Sequence, residues 1–367
     1  MKPSPLKSLT VQEATHMQFR LVDAMTRHFH GDMVLSCGDL GVHAQDNRPV
    51  TTAAAEKVLQ DFFGCEAAMF VRGAGTGALR LALFATAGSG GRVLVHDAPI
   101  YPTTKTSMAM MGISTHAVDF HDLEALAQAV STEPLDALLI QVTRQQPTDS
   151  YDLKTVIETI RTANPAIPIV SDDNYSALKT PYIGAQIGGT LATFSAFKLL
   201  GPEGVGVIVG AQKQIEKLRR ENYSGGSQVQ GHEALEALRG MVYAPVALAI
   251  SAEVTEEVAQ RVNQGEVPGV VDAFVVNAQS KVVIVRLARP IAKEVLAAAV
   301  RLGAAPHPVG AESKYEISPM FYRVSGTFRV ADPEAEHCMI RINPMRAGAD
   351  TVIRILRQSL EAVLGHE

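Results

Sequence analysis

Thr193-Phe194-Ser195-Ala196-Phe197-Lys198-Leu199-Leu200-Gly201-Pro202-Glu203-Gly204 places a lone lysine inside an apolar run closed by glycines. An apolar surround lowers a lysine's pKa and supplies the neutral amine that attacks an aldehyde. Phe194, Phe197, Leu199 and Leu200 argue against a freely solvated loop, and Ser195 sets a hydroxyl just ahead of Lys198. Taken alone, a loop lysine is ordinarily a surface charge. Its weight changes when the chain is read upstream.

Ile167-Pro168-Ile169-Val170 reads as a strand that opens into Ser171-Asp172-Asp173-Asn174. A carboxylate paired with a pyridinium nitrogen keeps the ring protonated, so that the ring accepts carbanion electrons. Asp172 and Asp173 both follow the strand, and only one of them can face a ring. Further upstream, Gly73-Ala74-Gly75-Thr76-Gly77 brings small residues to the start of a helix. There, backbone N–H groups and the helix terminus can hold an anion, and Thr76 adds a hydroxyl. The turn is G-x-G-x-G, so it is neither the dinucleotide fingerprint G-x-G-x-x-G nor a P-loop with its lysine. A phosphate cradle, a strand-end acid and a part-buried lysine, in that order, point to pyridoxal 5′-phosphate. Tyr101, in Ala98-Pro99-Ile100-Tyr101-Pro102, follows a strand ending near His96 and is placed to stack on the cofactor ring. His96 is the second candidate for that position.

Strand and helix signals alternate from about residue 52 to 210. Strands are expected at 67–71, 92–96, 135–142, 167–171, 190–195 and 205–209, with helices at 54–63, 78–84, 123–130 and 154–162 between them. This alternation implies an α/β fold with a mainly parallel sheet covered on both faces. Ligands in such sheets sit beyond the carboxyl ends of the strands, where all three candidate elements fall. Residues 233–260 read as a long helix. A strand at 281–287 and helices at 291–302 and 349–364 then suggest a smaller α+β C-terminal domain. The expected divisions are an N-terminal segment 1–50, a cofactor-binding domain 51–262 and a small domain 263–367.

The totals limit the alternatives. The 367 residues are 47% hydrophobic and 19% charged, a globular balance, and the net charge is −5 with a pI of about 6.1. No basic excess supports nucleic-acid binding. Cys37, Cys65 and Cys338 are odd in number and widely spaced, which favours a reducing compartment. The polar N-terminus lacks a signal-peptide core, and no uninterrupted apolar run reaches the roughly 18–20 residues of a membrane span. A cytoplasmic protein is expected, with no membrane or nucleic-acid partner. His28 and His30 are spaced like metal ligands but lack an accompanying acid or cysteine cluster, so no metal is expected.

The order GAGTGA, DAPIYPTT, SDDNY and FSAFKLLGPEGVGVIVG resembles the fold-type I pyridoxal-phosphate enzymes of the aspartate aminotransferase superfamily. Within them it is most similar to class V aminotransferase-like and selenocysteine-synthase-like transferases, well over 50–250 and loosely beyond. The resemblance implies a seven-stranded sheet and a Schiff-base lysine at Lys198. It also implies cofactor contacts from Gly75, Thr76, Gly77, Tyr101, Asn174 and Ser195. Asp173 is implied as the pyridine partner, because Asp173-Asn174 matches the family pair. Arg341, in Met339-Ile340-Arg341-Ile342-Asn343-Pro344-Met345-Arg346, matches the position that clamps an amino-acid carboxylate; Arg346 is the alternative.

Two departures stand out. The Tyr-x-Arg element of cystathionine-type enzymes has only Asp46-Asn47-Arg48 as a counterpart, which weakens a standard C–S lyase reading. A long N-terminal extension and basic character, as needed to act on tRNA, are missing. Tyr223-Ser224-Gly225-Gly226-Ser227-Gln228 is a small-residue loop able to offer donors to a phosphate from a partner subunit. The expected function is an aminotransferase acting on a small-molecule amino substrate as a homodimer or higher homo-oligomer. A lyase or transferase catalysing β- or γ-elimination or replacement (of the C–S lyase or amino sugar acid ammonia lyase type), a non-catalytic regulator of the same fold, and a nicotinamide oxidoreductase are the alternatives.

Overall fold

The computed structural model describes residues 3–365 other than 144, 145, 147, 279, 310, 311, 327, 328, 330 and 331. Packing divides the chain into two units: Gln12–Thr143 with Ser150–Pro245, and Met1–Val11 with Arg144–Asp149 and Val246–Glu367. These divisions fall at 11 and 245, against the 50 and 262 read from the sequence pattern. Helix α1 (Val11–His28) groups almost wholly with the larger unit, and a 33-residue helix, Gly231–Asn263, runs unbroken through residue 245.

The larger unit is built on seven strands: β1 (Ala67–Arg72), β2 (Arg92–His96), β3 (Ser114–Val118), β4 (Ala137–Gln141), β5 (Ile169–Asp172), β6 (Leu191–Ser195) and β7 (Val205–Gly210). Their order is β1-β7-β6-β5-β4-β2-β3. β2 through β6 pair in parallel, whereas β7 runs antiparallel to both of its neighbours. The expected mainly parallel seven-stranded sheet is therefore present, with one reversed strand. Helix α2 (Val50–Phe63) precedes the strands, α3 (Ala74–Thr86), α4 (Pro102–Met110), α5 (Leu123–Thr132) and α6 (Leu153–Ala163) join successive ones, and α7 (Gln212–Glu221) follows β7.

Local chemistry sets the ends of these helices. Gly64 closes α2 in the left-handed conformation (φ 62°), as glycine permits at a C-terminus. The carboxylates of Asp122 and Asp152 accept the N–H groups of Ala125 and Thr155 and so cap α5 and α6. Pro102 opens α4, where a missing N–H does no harm. One apolar face of the sheet, including Met69, Val95, Leu139, Val170 and Ile208, packs on Ala82 and Leu83 of α3.

Some elements depart from the sequence reading. β3 was not expected, because it is an edge strand whose side chains are largely exposed and carry no apolar signal. α3 starts at Ala74 rather than Ala78, so the glycine-rich stretch is its first turn and not a preceding loop.

The smaller unit holds a four-stranded antiparallel sheet, β8 (Val270–Ala278), β9 (Ser280–Leu287), β10 (Met320–Arg323) and β11 (Met339–Asn343), in the order β10-β11-β9-β8. Helices Ala292–Arg301 and Ala349–Leu364 lay Val295 and Leu356 on Val283, Val285, Ile340 and Ile342. Over Gly225–Asn263 the chain is long and apolar enough to cross a membrane by length and composition, with a mean hydropathy of 1.3. Yet 56% of its most apolar 18-residue window, to which that hydropathy belongs, is buried inside the protein, as in a core helix. Scattered charges hide it from a search for uninterrupted apolar runs.

Candidate functional site

β6 delivers the chain to its carboxyl end at Ser195, and the single helical turn Ala196–Leu199 then carries Lys198. Leu200 follows at φ 62°, which ends that turn and sends the chain back into β7. Lys198 is half-buried. Its Nζ donates to Asn174 Oδ1 at 3.4 Å and stands 3.7 Å above the centre of the Tyr175 ring.

Asn174 organises the adjacent strand end. Its Oδ1 also accepts the Ser195 N–H at 3.1 Å, and its Nδ2 donates to Asp172 Oδ1 at 2.7 Å. One side chain thus ties the ends of β5 and β6 together and stands between an acid and an amine.

The two aspartates part company here. Side chains alternate along a strand, so Asp172 shares the face of Val170, which is the α3 side. Burial raises the Asp172 carboxyl's pKa, while the Asn174 amide and the Lys198 charge pull it down. Asp173 is fully buried. Its Oδ2 accepts the hydroxyl of Ser171, a residue of the opposite face, at 2.5 Å, and its Oδ1 accepts the Gly184 N–H at 3.2 Å. Burial pushes this carboxyl up to about 7 against those two hydrogen bonds. Gly184 is required there, since a Cβ would lie 2.2 Å from Ser171 Oγ. The carboxylate in the field of Lys198 is therefore Asp172. The sequence preference for Asp173, which rested on matching the Asp-Asn pair, falls on the acid bonded to Ser171 and Gly184.

The glycine-rich turn arrives on the same α3 side. Gly73 (φ 93°) and Ala74 (φ 54°) turn the chain sharply out of β1, and both N–H groups donate to the Gly204 carbonyl at 2.9 and 3.0 Å. Gly77 N–H is taken by the Gly73 carbonyl, and its missing Cβ makes room for the Arg72 carbonyl. The N–H groups of Gly75 and Thr76 remain, in a first turn that has no internal acceptors for them. A Cβ on Gly75 would lie 2.4 Å from Asn174 Oδ1, so the turn packs directly on the residue that holds Lys198. Thr76 Oγ1 lies 3.4 Å from Thr103 Oγ1. Backbone donors at a helix N-terminus, a carboxylate and an amine on one side of the sheet fit the phosphate, ring nitrogen and aldehyde of pyridoxal 5′-phosphate.

The other candidates fall out variously. Tyr101 caps α4, and its N–H donates to Gln141 at the end of β4. His96 sits in an aromatic group with Phe120 and Tyr151, 5.1 and 5.0 Å away between ring centres, and its Nδ1 accepts the Phe120 N–H. That ring is already engaged. Arg48 lies 2.7 Å from the buried Glu56, which Arg219 also meets at 2.8 Å, so this arginine serves its own chain. The Tyr223–Gln228 loop is held by Arg72, which donates to the Gln228 carbonyl, while the Tyr223 side chain is exposed. His28 contacts Asp61.

In the smaller unit, Arg341 on β11 faces Tyr322 on β10, with its guanidinium 3.8 Å above the ring. Arg346 donates to the Met345 carbonyl, and burial lowers its pKa. Sequence reasoning missed Tyr175, Ser171 and Gly184. Only the left-handed backbone of Tyr175 (φ 66°) brings its ring to Lys198, and that has no signature in the residue itself.

Fold and donor set together define a fold-type I enzyme, and the chain belongs to the class V aminotransferase family, whose profile matches residues 13–237. Pyridoxal 5′-phosphate is the cofactor of these enzymes. A second profile, the YhfS-like C-terminal domain, matches residues 256–356. The Escherichia coli (strain K12) protein YhfS, described as uncharacterized, is 53% identical over 363 residues, 99% of this chain and all of that one. The crystal structure of the E. coli protein, described as pyridoxal-5′-phosphate dependent, matches with a TM-score of 0.97 over 99% of this chain and 100% of its own. Cystathionine gamma-lyase CalE6 from Micromonospora echinospora, 15% identical, shares the fold at a TM-score of 0.72 over 94% of this chain and 98% of its own.

Proposed function

We propose that this protein is a pyridoxal-phosphate enzyme that acts on an amino acid or related amine through Lys198, and that it transfers the amino group. The observation that supports this most directly is the Lys198 amino group held by Asn174, which also binds Asp172 and packs on Gly75. The cofactor supplies an aldehyde that captures amines and a ring that takes up the electrons of the α-carbon. Gly75 and Thr76 would hold its phosphate through their N–H groups, with Gly77 completing the turn and Ser195 at the end of β6. Asp172 keeps a proton at the pyridine nitrogen; Asp173, which the family pattern suggests for this part, instead supports the strand end from below. The Lys198 amine would take the α-proton and return it elsewhere on the substrate. Tyr101 stacks on the cofactor ring, and Arg341 binds the substrate's carboxylate through its two-pronged guanidinium.

The test is the absorbance of wild-type and Lys198→Ala protein with added pyridoxal 5′-phosphate, followed by an amino-acid panel. A wild-type band that borohydride fixes onto Lys198, and that an amino acid converts to pyridoxamine phosphate and a keto acid, is the expected result. Release of ammonia or a thiol with the band restored would replace transamination by elimination. An equal band in Lys198→Ala would overturn the assignment of the lysine.

A further inference from the structure

Tyr175 occupies a conformation that its residue type disfavours. Its φ of 66° lies in the left-handed region, where a bulky side chain is an outlier held only by its surroundings. Those surroundings are visible on both sides. The Asn174 carbonyl accepts the Thr143 hydroxyl at 2.9 Å, and the Asn174 side chain is bonded to Asp172 and Ser195. After Tyr175, the N–H groups of Ser176 and Ala177 both donate to the Asp173 carbonyl, at 3.0 and 2.9 Å. The backbone is pinned before and after the residue, and the ring is aimed by that pinning. Its face lies under Lys198 Nζ at 3.7 Å from the ring centre, within the range in which an ammonium is attracted to a π-face.

We propose that Tyr175 is a positioning residue: its ring is the dock on which the Lys198 amino group rests whenever that amine is not bonded to the cofactor. This rests on the reading of Lys198 as the cofactor-binding lysine and adds a place for the amine to return to. Three groups define the dock. The ring supports the ammonium, Asn174 Oδ1 accepts one of its hydrogens at 3.4 Å, and the Asp172 carboxylate attracts its charge. Lys179 Nζ stands 5.5 Å from the same ring, a second positive charge that opposes any further gain. The dock favours the protonated lysine, so it tempers the reactivity that an apolar surround confers and keeps the amine within reach of Asp172's side of the sheet.

The test uses cofactor-free protein. Brief acetylation across a pH series, read on the Lys198 peptide by mass spectrometry, reports the midpoint at which the amine becomes nucleophilic. Tyr175→Phe keeps the ring face and is expected to match wild type. Tyr175→Leu, and Tyr175→Asn, which tolerates left-handed backbone, are expected to react with midpoints lower by roughly half to one pH unit. Folded Leu and Asn variants with the wild-type midpoint would overturn the proposal, as would a Tyr175→Phe shift equal to theirs. A measurement on wild type needs no variant to fold. In protein labelled with carbon-13 at lysine Cε, the Lys198 methylene protons, assigned with Lys198→Arg, should be displaced upfield by the ring. An undisplaced signal would also overturn the proposal. Adding pyridoxal 5′-phosphate should abolish the displacement. If it persists while borohydride fixes nothing onto Lys198, the cofactor reading fails and the dock stands.

Discussion

Asp172 and Asp173, consecutive in sequence, present their carboxylates to opposite sides of the sheet edge: Asp172 to Asn174 and the charge of Lys198, Asp173 to Ser171 and Gly184. One step along a strand reverses the face of a side chain. Two residues of identical chemistry thereby come to hold different environments, and their substitutions should separate.

For Asp173 the effect is on stability and its pH dependence. Burial holds its folded pKa at about 7, above the ordinary 3.8. The folded protein binds this proton more tightly than the unfolded chain does. The contribution is therefore fullest below about pH 4 and is lost as pH rises through 7. Between pH 8 and pH 6, wild type should gain about 1 kcal/mol relative to Asp173→Asn. Melting midpoints of the two proteins should accordingly shift against one another by roughly 1–2 °C. A constant difference at the two pH values would show that this carboxyl titrates normally.

For Asp172 the effect is on chemistry. Asp172→Asn keeps the bond geometry to Asn174 but removes the charge, and it should lower kcat by roughly 100-fold or more with little change in melting temperature. Asp173→Asn should retain most of its turnover. Comparing kcat for the two variants with the same amino substrate decides the matter. The reverse ranking would return the pyridine role to Asp173.

Gly75 tests the packing beneath Lys198. A methyl group there collides with the Asn174 amide, which cannot move without releasing Ser195, Asp172 and Lys198. Gly75→Ala should cost about 1–3 kcal/mol in denaturant unfolding and weaken cofactor binding about tenfold or more. Gly226→Ala meets open space and should stay within about 0.5 kcal/mol of wild type.

Arg341 sets its guanidinium carbon 3.8 Å from the centre of the Tyr322 ring. Arg341→Lys preserves the charge but loses the fork, so KM for an α-amino acid should rise roughly tenfold or more. The corresponding decarboxylated amine should be turned over unchanged. Equal losses for the two compounds would assign Arg341 to the structure of the smaller unit.

Much of this site was legible because its elements are local. A strand followed by an apolar turn with one lysine needs a few residues to declare itself, and so does a glycine-rich strand-to-helix junction. Which of Asp172 and Asp173 turns toward Lys198 was not legible, since it depends on where β5 ends and hence on the parity of one residue. Tyr175 was hidden for a related reason: its position follows from a backbone angle imposed by Thr143, Asn174 and Asp173 together. The edge strand β3, largely exposed, had no apolar alternation to reveal it, and the start of α3 was masked by glycines that ordinarily signal a loop.

The reversal of β7 sets a schedule for the birth of the site. The carbonyl of Gly204, at the mouth of β7, holds the N–H groups of Gly73 and Ala74, and β1 has β7 as its neighbour in the sheet. Joining segments so far apart in sequence is slow, because a long loop must close first. During synthesis, the N–H groups of Gly73 and Ala74 therefore gain their acceptor only after Gly204 has been made, well after their own residues have emerged. A nascent chain truncated before residue 205 should lack any grip on the cofactor, and cofactor capture would serve as a clock for completion of the sheet.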